Sequence, residues 1–392
     1  MVLFFIQAMA TAMWMVAFSN VLSAHGLEGI IPYAFASTGV AAIVSPLFIG
    51  SLADQHISAH RLLRWLALGT SAALFATFFA IEKGWGAGWV LVGMQLQALF
   101  SAPTWGLATT IALTSLHDSA RQFGAIRVWA TFGWMTAGAV TSFLLRAETS
   151  ATNGMIAAGI WLGVFAISYS LPSAEPRNSK AGRSWGALLG LDALGLLRHR
   201  SHGVVFITAA LVSAPLAAFY PFAAMQLREL GAGSIAALMA LGQVSEVGAM
   251  YALSPILARV RLKWILSAGI AFGIARYALF SLDTLPTVVA GIILHGLCFT
   301  LFVIPTQIYL DQRIEPVFHA RAQALLTFMM SGLGTLAGYL GCGWWREACR
   351  TAEGTRWPLF WGVLTGIMVA VLVFFVATYR GRGPVGGDPA QE

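Results

Sequence analysis

Apolar runs of about 20 residues recur along this chain, separated by short polar breaks, and each is long enough to cross the ~30 Å hydrocarbon core of a bilayer. They fall at about 2–24, 30–52, 62–82, 88–115, 122–145, 152–172, 203–227, 233–257, 263–282, 285–310, 320–345 and 357–379. No water reaches backbone N–H and C=O groups in hydrocarbon, so runs of this length have to be helices. The residue balance agrees: 58% of the chain is hydrophobic and 10% charged, whereas soluble domains carry about 25% charged residues. The expectation is an all-α polytopic membrane protein with about twelve transmembrane helices. The first run is as long as the others and no small-residue cleavage site follows a short core, so no cleavable signal peptide is expected.

The formal charge of +7 is distributed in a way that points to membrane topology and away from nucleic acid. Most Lys and Arg residues lie in the connections around 53–64, 116–121, 173–201, 258–263 and 311–321 and in the tail from 380, and far fewer in the opposite set at 25–29, 83–87, 146–151, 228–232, 283–284 and 346–356. By the positive-inside rule both termini are expected in the cytoplasm of a bacterial inner membrane. Trp85, Trp89, Trp344 and Trp345 fit interfacial belts. Cys298, Cys342 and Cys349 have no metal or redox spacing. Nothing in the chain has the pattern of a phosphate loop, a metal cluster or a nucleophile with its base, so neither enzyme chemistry nor a cofactor is expected.

The longest polar break, about 173–202, follows the sixth run. It divides the chain into an N-terminal six-helix bundle (1–172), a linker (173–202), a C-terminal six-helix bundle (203–380) and a tail (381–392). Within the linker, the stretch from Trp185 through Leu197 has the spacing of a short amphipathic helix on the membrane surface. Two six-helix halves are a common transporter plan, with the solute site near the midplane. The stretch Gly50-Ser-Leu-Ala-Asp54, followed by Arg61 and Arg64, resembles the loop motif of the major facilitator superfamily. Asp54 is expected there as a gating or structural helix-end carboxylate.

Charged side chains inside the membrane cost at least a few kcal/mol and mark functional positions. Arg127, Thr131 and Trp134 are spaced i, i+4, i+7 and share one helix face, combining a cation, a hydroxyl and a flat ring. Such a stripe suits a polar solute with a ring; the same spacing also allows Arg127 to snorkel to headgroups. Gln243 and Glu246, at i and i+3, share a face of the eighth run. Glu246 stands about 20 Å from one end of its helix and Arg127 roughly 10 Å from the other end of its own, so the two share a depth. Glu246 is the candidate proton site, because burial and a neighbouring cation pull a carboxylate in opposite directions. It can pair with Arg127 or, as a structural ion pair, with Arg276. His295 and Phe299 lie one turn apart on the tenth run, and Tyr220 precedes Pro221 on the seventh. The polar residues Gln7, Trp14, Gln95 and Gln97 are expected to satisfy one another between helices.

Taken in order, Arg127-Val-Trp-Ala-Thr-Phe-Gly, Leu189-Gly-Leu-Asp192-Ala-Leu, Gln243-Val-Ser-Glu246, Arg276-Tyr-Ala-Leu-Phe and Arg321-Ala-Gln323 resemble the nucleoside:proton symporter family of the major facilitator superfamily. Pro103-Thr-Trp-Gly106-Leu and Gln7 with Trp14 fit the same pattern. The resemblance implies the major facilitator fold and proton-driven nucleoside import through a central cavity between the halves. It implies cavity roles for Arg127, Thr131, Gln243 and Glu246, and places His295 and Phe299 where the family usually has an aromatic pair. Two positions depart from it: Ala217 and Tyr220 stand where amides are usual, and Thr300 where an acid is common. A proton-coupled nucleoside symporter working by alternating access is therefore expected, acting as a monomer. Rival readings are a symporter of a sugar or other small polar metabolite on the same fold, an exporter of apolar drugs, and a transport-dead receptor.

Overall fold

Self-satisfied helical backbone is what hydrocarbon demands, and the computed structural model is helical almost throughout. It describes residues 1–55, 57–116, 119–172, 186, 189, 191–315 and 318–380. Among the described residues, ten helical stretches are long and apolar enough to cross a membrane. Two further expected spans are shorter pieces: Thr152–Ile167, and the pair Ala87–Ser101 and Thr104–Thr114. The break in that pair falls at Pro103, which has no N–H to give the preceding turn. Backbone angles at Ala102 and Pro103 stay close to helical values, so the interruption is local.

Among the described residues, three spans contain π-helical segments: Val140–Leu145, Phe219–Ala223 and Phe328–Gly334. The second contains Pro221 and follows the helix Arg200–Leu216, which itself contains Pro215. Such widened turns accommodate the hydrogen bonds that proline cannot make. In the linker, Leu191–Arg198 forms a 3₁₀ helix against Arg200–Leu216 and His319–Thr327. Most of the amphipathic stretch expected from Trp185 onward, and the tail from 381, lie outside the described residues.

The chain forms two compact units. One comprises Met1–Ser184 with Tyr220–Arg228 and Gly233–Ala240; the other comprises Trp185–Phe219, Glu229–Ala232 and Leu241–Glu392. In the first, Val2–Met15 packs on Ser119–Ala139 and Thr152–Ile167, and Ala59–Glu82 packs on Thr152–Ile167 and Ala87–Ser101. Buried polar groups tie these helices together, as expected where the apolar faces have no water to escape from. Gln7 Nε2 donates to Thr104 Oγ1 at 2.8 Å, Ser71 donates to the Ala158 carbonyl at 2.7 Å, and Asn153 Nδ2 donates to the Met13 carbonyl. Asn20 Nδ2 donates to the Ala224 carbonyl at 3.2 Å, and Arg228 donates to the Asn20 carbonyl at 3.1 Å.

In the second unit Leu262–Phe280 packs along Leu285–Arg313 and Trp357–Thr378, and Arg200–Leu216 packs on Thr335–Ala348. A two-stranded hairpin, Arg350–Thr351 with Gly354–Thr355, precedes the last helix. Glu229 accepts the indole N–H of Trp357 at 2.7 Å and anchors that end of the unit. Trp85, Trp89 and Trp344 are more than half exposed, as belt residues are. All three cysteines are free thiols.

Candidate functional site

In the first unit the helix Ser119–Ala139 carries Arg127, Thr131 and Trp134. Arg127 is exposed, Thr131 buried and Trp134 half-buried. The ring of Trp134 lies 5.6 Å from that of Tyr220, so the widened turn at Phe219–Ala223 brings together two aromatics far apart in sequence. Trp134 Nε1 is buried with no acceptor among the described residues. An indole N–H left in this way invites an acceptor from outside the chain.

In the second unit, Gln243 Nε2 donates to Glu246 Oε2 at 3.3 Å, so the expected i, i+3 pair is made. Gln243 is buried and its Oε1 has no donor among the described residues. Glu246 is half-buried and is the one acidic residue, among those described, more than two turns from both ends of its helix, Ile235–Arg259. This helix crosses Leu285–Arg313 at Gly242 and Gly296. A Cβ at 296 would collide with the Glu246 backbone nitrogen and the Gly242 carbonyl oxygen. The close crossing sets Gln243 and Glu246 beside the helix of His295 and Phe299, whose rings are 6.5 Å apart.

Arg276 is fully buried. Its Nη1 donates to Nδ1 of His295 at 2.6 Å, and its guanidinium lies over the rings of Phe219 and Tyr277 at 4.9 and 4.5 Å. Phe219 stacks on His295 at 4.1 Å between centroids. Sequence pattern offered Arg276 as a possible ion-pair partner of Glu246; its Nη1 donates to a histidine on the next helix. Phe219 was not singled out from sequence, although its place beside Tyr220-Pro221 was the available signal. Thr300, at the position of the missing acid, is buried with no partner for its hydroxyl among the described residues. Asp54 lies on the helix Ile31–Gln55, and its side chain is outside the described residues.

A second polar cluster in the first unit had no sequence signature. Glu148 accepts the Ser142 hydroxyl at 2.5 Å and the Ala236 N–H at 3.1 Å, while the Ala237 N–H donates to Ser142 Oγ at 2.9 Å. Together they satisfy the first N–H groups of the helix Ile235–Arg259, which has no preceding turn to do so. They line a cavity of about 410 Å³ with Phe143, Arg146, Gly233 and Ser234. Burial pushes the Glu148 carboxyl above its ordinary value, against the lowering effect of the Ser142, Ala236 and Ile235 hydrogen bonds. A raised carboxylate favours the folded form in acid, and that contribution is lost as pH rises through the raised value. Glu148→Gln keeps an acceptor and removes the titration. The melting temperature of the wild type minus that of Glu148→Gln should therefore fall as pH rises above the ordinary glutamate value of about 4.3; a flat or rising difference would contradict this environment for Glu148.

Comparison with known proteins decides the family. The model of the nucleoside H+ symporter family matches residues 1–383. The chain belongs to the nucleoside H+ symporter family. Among relatives of this symporter, YegT of Escherichia coli, a candidate nucleoside transporter by name, is 34% identical over 86% of this chain and 81% of its own. The nucleoside permease NupG of Escherichia coli is 26% identical over 88% of this chain and 86% of its own. The maltose permease of Geobacillus stearothermophilus is 26% identical over 81% and 79%. A crystal structure of nucleoside transporter NupG superposes with a TM-score of 0.84 at 24% identity, covering 97% of this chain and 98% of that one. The POT family transporter PepTSo does so with a TM-score of 0.71 at 12% identity, covering 96% of each. The symporter thus has the transporter fold its apolar pattern implied, and it is a multi-pass membrane transporter and not an enzyme.

Proposed function

We propose that this symporter imports nucleosides by alternating access, driven by protons carried on Glu246. The observation that carries the reading is the family match over residues 1–383. The site geometry supports it: the Gln243–Glu246 pair stands at a helix crossing where both helices carry residues with hydrogen-bonding or stacking capacity. The proposed solute contacts are Arg127, Thr131, Trp134, Tyr220, Gln243, Glu246, His295 and Phe299. Arg127 and Gln243 donate to hydroxyl, carbonyl or ring-nitrogen acceptors, and the aromatic rings stack on a base. Arg276 and Asp54 have gating or structural roles. The charge distribution supports an inner-membrane location with both termini in the cytoplasm. The working unit is a monomer in lipid, with no nucleic-acid partner.

The test is uptake of uridine and adenosine into proteoliposomes with an inward proton gradient and with the gradient collapsed. Gradient-dependent accumulation is expected. Failure to accumulate either, by folded and correctly oriented protein, would overturn the nucleoside reading. The maltose permease relative and the absence of amides at Ala217 and Tyr220 keep a sugar symporter as the second reading; competition by free ribose or disaccharides separates the two. Arg127→Ala should weaken nucleoside binding by roughly 1–3 kcal/mol if its guanidinium donates charged hydrogen bonds. Wild-type affinity in that variant would assign Arg127 to the headgroups.

A further inference from the structure

The helix Ile235–Arg259 is preceded by Ser234, a residue type that ordinarily caps its own helix by bonding the N–H groups two and three residues on. Those two groups are bonded elsewhere. The Ala236 N–H donates to Glu148 at 3.1 Å and the Ala237 N–H to Ser142 Oγ at 2.9 Å, 88 and 95 residues away in the chain. Ser142 in turn donates to Glu148 at 2.5 Å, so the two side chains act as one cap. Ser234 lines the same cavity of about 410 Å³ as Ser142, Glu148 and Arg146, so a local cap stands beside the distant one.

Gly233–Ala240 belongs to the first unit, whereas the helix continues from Leu241 in the second. Tyr220–Arg228 likewise belongs to the first unit, where Asn20 Nδ2 donates to the Ala224 carbonyl at 3.2 Å and the Asn20 carbonyl accepts from Arg228 at 3.1 Å. Glu229, in the connection joining these two segments, belongs to the second unit and accepts the Trp357 indole N–H at 2.7 Å. Each segment is therefore continuous at both ends with the second unit, while side chains of the first unit bond its backbone. At Gly138 the helix Ser119–Ala139 passes so near that a Cβ would come within 2.7 Å of the Ala236 carbonyl oxygen. The π-helical segment Val140–Leu145, which carries Ser142, follows directly. When the distant cap breaks, the Ser234 hydroxyl or water takes the freed N–H groups, so release strands no donor.

We propose that Ser142 and Glu148 form a releasable latch on this end of the helix, and that opening the carrier on the non-cytoplasmic side exchanges their cap for one made by Ser234. The inference rests on the alternating-access reading for the opening step, and on the first unit's geometry for the latch. The side is that of the connections 146–151 and 228–232, which carry few Lys and Arg. Ser142 and Glu148 hold the segment in place, and Ser234 favours its release. The two serines therefore act on opening in opposite directions. A cap that only stabilised the fold would give Ser234 no such role.

Ala240→Cys places a reporter thiol at a buried position whose Cβ would lie 3.0 Å from a Cβ at Gly138. Its rate of labelling by a membrane-impermeant maleimide in intact cells reads the release, with the parent protein as background for the three native thiols. Adding Ser142→Ala should speed labelling about fivefold, and adding Ser234→Ala should slow it about fivefold, the factor that loss of one serine cap contributes. An unchanged rate with Ser142→Ala would overturn the latch. An unchanged or faster rate with Ser234→Ala would overturn the exchange of caps. A second measurement needs neither alanine variant. The pair Ser142→Cys and Ala237→Cys, joined by a short bis-methanethiosulfonate, should lose uridine exchange in proteoliposomes and regain it with dithiothreitol. Exchange that persists in the cross-linked carrier would overturn the proposal. Absence of uridine exchange by the wild type would count against the nucleoside reading, and the labelling rates would still decide the latch.

Discussion

Glu246→Gln should abolish nucleoside accumulation driven by an inward proton gradient while leaving exchange of labelled for unlabelled nucleoside measurable. Each pH unit across the membrane is worth about 1.4 kcal/mol per proton, which is a tenfold concentration ratio if one proton accompanies each solute. A carrier that has lost its proton site still equilibrates its solute but cannot concentrate it. The substitution is suited to the question because the introduced amide would still present a carbonyl oxygen to Gln243 Nε2, which in the wild type donates to Glu246 Oε2 at 3.3 Å. The helix crossing at Gly242 and Gly296 involves backbone atoms and is untouched. The resemblance implies an acid at position 300, where this chain has a threonine, so under the proposed reading coupling falls to Glu246. Full accumulation by Glu246→Gln at an imposed pH gradient would remove the coupling role from this residue. Loss of exchange along with accumulation would show that an amide cannot replace the carboxylate as a solute contact.

The spans were legible because hydrocarbon leaves the backbone one solution, and an unbroken apolar run of about 20 residues is a direct image of it. Interruptions were less so. Pro103 and Pro221 both marked weak points, but the sequence does not say that the first divides a helix and the second widens one. The Gln243–Glu246 contact was legible because i, i+3 neighbours share a helix face whatever surrounds them. The Arg276–His295 bond was not, because helical spacing gives a residue's depth and leaves rotation to packing. The helices Leu262–Phe280 and Leu285–Arg313 are joined by a short turn, so residues equally far from it are brought level. Counting outward from the turn sets Arg276 level with about Val289, and the bond to His295 further along the helix also depends on the reach of the long arginine side chain. Glu148 was hidden for a different reason: its partners are the backbone N–H of Ala236 and a serine already bonded to the Ala237 N–H, and backbone donors carry no sequence mark.

Gly296→Ala should lower the melting temperature and remove gradient-driven uptake, although it adds one methyl group to an apolar helix. The added Cβ would meet the Glu246 nitrogen, the Gly242 carbonyl oxygen and Ser245 Oγ. Two of these are backbone atoms that cannot rotate aside, so one helix has to move. Overpacking of this kind costs typically ~1–3 kcal/mol, against the ~0.5–1 kcal/mol that alanine gains over glycine in a helix. The balance is destabilising, and the displacement falls on the turn that carries Glu246. Gly248→Ala on the same helix is the matched control, because a Cβ there meets nothing within 4 Å. It should melt at or above the wild type and retain uptake, since only the propensity gain operates. Equal melting temperatures for the two variants would mean that the crossing at Gly296 is looser than the backbone distances require. If Gly296→Ala instead melts lower and still accumulates nucleoside, the crossing is structural and the placement of Glu246 tolerates its displacement.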